Sequence, residues 1–151
     1  MNYLKNIQNE AKFHARTLIT IVNYLESDYG KETVESFKNY WFQEVFYKPW
    51  KEISKANPNN LQTFVKILED DCTGTHEWIK EIDEPKRIKY KFTKCVWANV
   101  FHEFGMPDIG KWFCESDYMI CKAFNPKIKF KRTKTLMDKD DCCDHEFFLE
   151  E

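Results

Sequence analysis

The hydrophobic period of this chain changes near residue 75, and no other feature of the sequence constrains the fold as strongly. From Leu4 to Leu25 apolar residues recur at three- and four-residue steps (Leu4, Ile7, Ala11, Leu18, Ile21, Val22, Leu25), and Gly30 stands where a helix would stop. The spacing predicts a long amphipathic helix over 4–29. A second helical run, from 31 to about 55, places Val34, Phe37, Trp41 and Val45 on one side, with Pro49 expected to bend or end it. A third begins near Pro58 and carries Leu61, Phe64, Val65 and Leu68. Beyond residue 75 alternation takes over: Ile88, Tyr90 and Phe92 oppose Lys89, Lys91 and Thr93, so 75–82 and 87–95 should form a hairpin around Asp83-Glu84-Pro85-Lys86. A short helix (96–104), a helix stopped by Asn125-Pro126 (109–124), a strand (127–136), an acidic turn (137–141) and a last strand (142–149) complete the reading. The expectation is one α+β domain over 1–151, with N-terminal amphipathic helices packed on a four-stranded antiparallel sheet and two helices inserted. At 151 residues, 42% hydrophobic and 17% aromatic, the chain has material for one core.

A net charge of −2 supplies no global field that would draw the chain to nucleic acid or anionic lipid, so neither partner is expected. Lys5, Glu10, Lys12 and Arg16 interrupt any leader-like apolar region, and the apolar stretch around Leu18 to Val22 is too short to span a bilayer. The six cysteines are unevenly spread and Cys142 adjoins Cys143, which argues against a secreted disulfide scaffold. Reduced thiols in a cytoplasm are the expectation.

Chemistry-bearing side chains concentrate in the last third. On the helix over 109–124, Cys114, Asp117 and Cys121 lie within roughly 60° of one another, along a shoulder of the apolar stripe Ile109, Trp112, Phe113, Ile120 and Phe124. An aspartate at the edge of a buried face needs a partner or a shifted pKa, so Asp117 is either a general base or substrate ligand, or half of an ion pair beside merely structural cysteines. In the strand over 127–136, Arg132 shares a face with Ile128 and Phe130 and should therefore meet an anion, whether a protein carboxylate such as Asp117 or the carboxylate of a ligand. In the last strand Cys143 and His145 share a face with Phe147 and Leu149, toward the interior that Arg132 enters, and Cys142, Asp144 and Glu146 point the other way. A thiol near an imidazole is the minimal arrangement for a nucleophilic cysteine, although two residues along a strand leave their Cβ atoms about 6.5 to 7 Å apart. Cys72, His14, His76 and His102 read as structural or solvated.

No C-x-x-C pair, glycine-rich phosphate loop, H-E-x-x-H helix or G-x-S-x-G elbow occurs, and only four glycines are present. No metal and no cofactor is expected. A zinc site would have to be assembled from Cys95, Cys114 and one or two of Cys142, Cys143 and His145.

Read in order, Cys95-Val96-Trp97-Ala98, Phe104-Gly105 with Pro107, Phe113-Cys114-Glu115-Ser116-Asp117, Phe124-Asn125-Pro126, the run from Phe130 through Lys131-Arg132-Thr133-Lys134-Thr135 to Leu136, and Asp141-Cys142-Cys143-Asp144-His145 make a recognisable series. It resembles the L-2-amino-thiazoline-4-carboxylic acid hydrolase family, over about the last 60 residues. The resemblance implies a small α+β hydrolase that opens a cyclic isothiourea or amidine-like C–N bond, giving N-carbamoyl-cysteine in the namesake reaction. Residues of the family pattern present here are Cys95, Cys114, Asp117, Arg132, Thr133, Cys143, Asp144 and His145. It implies catalytic roles for Cys114, Asp117, Cys143 and His145, and binding of a carboxylate-bearing small molecule by Arg132, Thr133, Cys95 and Asp144. The alternative is a binding module for zinc or a small ligand, similar to the vinyl-reductase-like sensor domains; Lys134 and Thr135 stand where those domains need a cysteine.

Overall fold

The computed structural model describes residues 2–150, with side chains from Lys5 onward, so Leu4, placed above on the first apolar stripe, has its side chain outside the described residues. Helix α1 (Asn2–Tyr29) buries Ala11, Ala15, Leu18 and Val22, one side of a cylinder at the predicted spacing, and Ile21 falls off that stripe and is exposed. Gly30, at φ 83°, breaks the helix in a conformation that favours glycine and starts α2 (Lys31–Trp41).

Pro49 does not end the second helical run. A π-helical stretch, Phe42–Tyr47, joins α2 to α3 (Lys48–Ala56), and Lys48 N–H reaches back five residues to Gln43 O. The widened turn just before the proline accommodates a residue that has no N–H to donate and whose ring would press on the preceding turn. It also shifts the helix phase. Phe42 is buried and Phe46 packs on the core, whereas Val45, expected on the apolar side, is exposed.

Asn60 caps α4 (Leu61–Cys72) by accepting Thr63 N–H at 2.9 Å. The hairpin β1 (His76–Glu84) and β2 (Arg87–Cys95) turns at Pro85-Lys86, and β2 buries Ile88, Tyr90 and Phe92 as the alternation predicts. Helices α5 (Val96–Glu103) and α6 (Pro107–Phe124) follow, then β3 (Ile128–Lys131), a 3-10 turn (Leu136–Asp138) and β4 (Cys143–Leu149). The sheet is antiparallel, in the order β1-β2-β4-β3, so the last strand lies between β2 and β3. The fold is α+β.

Strand β3 is shorter than expected. The chain leaves the sheet at Arg132 because Asp144, on the outer face of β4, draws the next backbone N–H groups to itself. Two cores result. One lies between the sheet and helices α3, α4 and α6 (Trp50, Phe64, Phe124 and Phe147 among its residues), and the other between α1, α2, α5 and α6, around Leu18, Phe42, Phe101 and Trp112. Helix α6 serves both cores, and that position sets the site.

Candidate active site

Where α6 passes from one core to the other, a cavity of about 250 Å³ opens between the end of β2, the start of β4, the π-helical stretch and α4. Phe113, Cys114, Ser116, Asp117 and Ile120 of α6 line it, the set that helical spacing places on one side. Arg132 enters from the chain beyond β3, and Cys143 and His145 come from the inner face of β4. Of the eight residues singled out from the sequence, Cys95, Cys114, Asp117, Arg132, Cys143 and His145 meet here. Thr133 and Asp144 do not line the cavity.

At its polar end Arg132 Nη1 donates to Asp117 Oδ2 at 2.8 Å and to Cys114 O at 3.1 Å. Both bonds use one nitrogen of the guanidinium, which leaves its other donors for a planar anion. His145 Nε2 is buried without a hydrogen-bond partner among the described residues, and Asp117 Oδ2 lies 3.8 Å away, beyond hydrogen-bonding reach. Burial raises the pKa of Asp117 to about 7 against the pull of Arg132. Burial, then the charges of Arg132 and His76, lowers His145 to about 3, so its ring is neutral at physiological pH. A carboxyl that exchanges a proton near neutrality beside an unpartnered neutral imidazole is equipped for general acid–base work.

The thiols are held in their protonated form. Burial pushes Cys114 up to about 11, although Arg132 and a contact with Thr135 oppose it, and pushes Cys95 up to about 12. Cys143 is raised too, chiefly by burial. The Thr135 hydroxyl sits between two of them, 3.7 Å from Cys114 Sγ and 3.7 Å from Cys143 Sγ, and Leu136 N–H donates to Cys143 Sγ at 3.1 Å. Cys95 Sγ accepts Ala98 N–H at 3.4 Å and so caps α5. All six cysteines are unpaired.

Thr133 and Asp144 form a clamp under the loop. Asp144 accepts Thr133 N–H at 2.8 Å, Lys134 N–H at 2.6 Å and the Thr133 hydroxyl at 2.5 Å, while Asp140 accepts Thr135 N–H at 2.8 Å. These bonds fix the segment that carries Arg132 at one end and Thr135 at the other.

Several lining residues were not selected from the sequence. Cys72 and His76, read above as structural, both face the cavity, with His76 lowered to about 4 by burial. Their positions at a helix end and a strand start carried no periodic signal. Thr135, which touches Cys114 and Cys143 without lining the cavity, is visible only through the loop geometry. Conversely Cys121, on the predicted shoulder of α6, is buried in the sheet-side core, and Cys142 lies outside the cavity lining. Among the described residues no three His, Cys, Asp or Glu side chains converge in a way that holds a metal ion, and no helix is long and apolar enough to cross a membrane.

Comparison with known proteins adds three findings. No curated protein sequence matches the chain. Among solved structures, a trafficking protein particle complex subunit 3 from Naegleria fowleri, covalently bound to palmitic acid, is similar at a TM-score of 0.44 and 10% identity over 94% of this chain and 96% of that one. The model of the L-2-amino-thiazoline-4-carboxylic acid hydrolase family matches residues 10–147, so the likeness carried by the C-terminal motifs extends back into α1, and the chain belongs to that family.

Proposed function

We propose that this protein is a hydrolase that opens a small, carboxylate-bearing cyclic isothiourea at the Asp117–Arg132–His145 end of the cavity. Family membership supports the reaction class. The observation that carries the assignment is the buried Asp117 carboxylate, held through one oxygen by Arg132, with the unpartnered His145 Nε2 beside it inside a cavity. In this reading the free donors of Arg132 grip the substrate carboxylate and His145 Nε2 hydrogen-bonds the ring, ending its own isolation.

The namesake conversion adds one water. Water oxygen bonds to the amidine carbon, and the carbon–sulfur bond of the ring breaks. Both carbon–nitrogen bonds at that carbon survive in the N-carbamoyl product, so the bond cleaved is C–S; C–N cleavage applies to amidine analogues without the ring sulfur. One proton of the water ends on the former imine nitrogen and the other on the departing sulfur. Asp117, with a pKa near 7, takes the latter proton as water attacks and returns it to sulfur as the ring opens. Cys114 and Cys143 stay protonated and shape the wall. A covalent route through Cys114 would first require its proton to pass to Asp117 or His145, and the Thr135 hydroxyl is placed to support the resulting thiolate. The six unpaired thiols support a reducing, cytoplasmic setting.

Incubation of the purified protein with L-2-amino-thiazoline-4-carboxylate, with N-carbamoyl-cysteine followed by liquid chromatography, tests the reading. Product formation that is lost in Asp117→Asn is expected. Binding of the thiazoline without any product would replace the hydrolase with a binding module.

A further inference from the structure

The cavity is larger and drier than the namesake ring requires. At roughly 30 Å³ per water it has room for about eight waters, more volume than one five-membered ring with two small substituents fills. The surplus space is lined by aromatic side chains arranged in a definite direction. Phe113 stands one helical turn before Asp117 on the same side of α6; Trp97 stacks on it at 4.6 Å between ring centroids, and Phe46 meets it edge-on at 6.2 Å. All three line the cavity, as does Trp50. The aromatic wall starts one helical turn from Asp117, and the acidic and basic side chains lining the cavity besides its histidines are Asp71, Asp117 and Arg132. A small polar ring bound at Arg132 would leave this wall facing weakly held water.

We propose that the natural ligand is a carboxylate-bearing ring with an aryl-sized apolar substituent. Its carboxylate lies on Arg132, its reactive carbon lies beside Asp117 and His145, and the substituent lies along Phe113, Trp97 and Phe46. This rests on the functional reading above for the placement of the reacting ring. The substituent contributes affinity by leaving water and by stacking, and selects against smaller carboxylates that present the same polar groups.

The test compares 2-amino-thiazoline-4-carboxylate with its 5-benzyl derivative, by calorimetric titration and by turnover. The expected result is a Kd about 100-fold lower for the benzyl compound, from burial of one aromatic group, with that advantage reduced at least tenfold in Trp97→Leu whose melting temperature is checked in parallel. If the parent ring is opened while the benzyl compound binds no more tightly, the ligand class is wrong and the hydrolase reading stands. If the benzyl compound binds more tightly and neither is opened, the ligand class stands and the hydrolase reading falls. Absence of binding by both sinks both, and an advantage undiminished in a folded Trp97→Leu protein overturns the placement of the substituent.

Discussion

Asp117 and Arg132 meet at 2.8 Å at the polar end of the cavity, tying α6 to the chain that leaves β3. The ion pair and ligand binding, which the sequence presents as alternatives for Arg132, are compatible in one guanidinium: Nη1 makes both of its hydrogen bonds to the protein, and Arg132 lines the cavity. Arg132→Lys keeps a charge for Asp117 but loses the planar fork. It should raise KM tenfold or more with a small change in melting temperature. Arg132→Ala leaves a buried carboxyl unpaired and should cost about 3 kcal/mol of stability, the low end for a broken buried pair because Asp117 can take up a proton. An unchanged KM in Arg132→Lys would remove the arginine from the binding site.

Asp144 is predicted to act on the reaction without touching substrate. Its carboxylate receives three hydrogen bonds from Thr133 and Lys134, next to Arg132. Asp144→Ala should lower stability by about 2 kcal/mol and raise KM through a displaced Arg132, and Asp144→Asn, which retains an acceptor for the backbone N–H groups, should restore much of both. Equal loss in the two variants, measured by thermal melts and steady-state kinetics, would contradict a positioning role.

Alkylation kinetics read the state of the thiols. With Cys114 pushed up to about 11 by burial, its thiolate is scarce at pH 7, and its labelling rate should climb about tenfold per pH unit through the neutral range. Substrate should protect Cys114 and Cys143, and also Cys72, which shares the cavity wall. Rapid labelling of Cys114 at pH 7, seen by peptide mapping, would mean that a thiolate exists in the resting protein and would favour the covalent route.

Stability should fall on acidification below pH 6.5. His145 and His76 have folded pKa values lowered to about 3 and about 4, so the unfolded chain binds more protons between those values and 6.5, and stability that is present above 6.5 is lost as pH falls. Asp117 acts in the opposite sense. Raised from 3.8 to about 7, it binds a proton in the folded state first, so its contribution is greatest at low pH and is lost as pH rises toward 7. Two histidines against one aspartate leave a net excess of roughly one proton on the unfolded chain, or about 1.4 kcal/mol per pH unit over that window. Asp117→Asn removes the opposing group, and melting temperature against pH should then fall more steeply between pH 6.5 and 4.

Most of the fold was legible because it follows from periodicity: the stripe of α1 apart from Ile21, the alternation of β2 and the inward face of β4 lie where spacing puts them. What was missed depends on phase and on loops. The π-helical stretch before Pro49 rotates Phe46 into the cavity wall in place of Val45, a one-residue slip that no count of apolar steps reveals. Arg132 was read as a strand residue from parity, and it reaches the predicted interior from just beyond the strand, because Asp144 pulls the backbone out of the sheet. Cys114, Asp117, Cys143 and His145 were readable as neighbours because two regular elements present them. Cys72 and His76 reach the same cavity from element ends, where spacing says nothing about direction.

In the proposed ring-opening hydrolysis Asp117, tuned by burial and Arg132, moves the proton. Single-turnover measurement of N-carbamoyl-cysteine formation from L-2-amino-thiazoline-4-carboxylate across pH 5 to 9 tests that role most directly, with the wild-type chain beside Asp117→Asn. The wild-type rate should rise through an apparent pKa near 7, and the rate in Asp117→Asn should be lower by about 10²- to 10⁴-fold with substrate affinity retained. A wild-type profile without that inflection, together with an Asp117→Asn variant that opens the ring at the wild-type rate, would contradict that role.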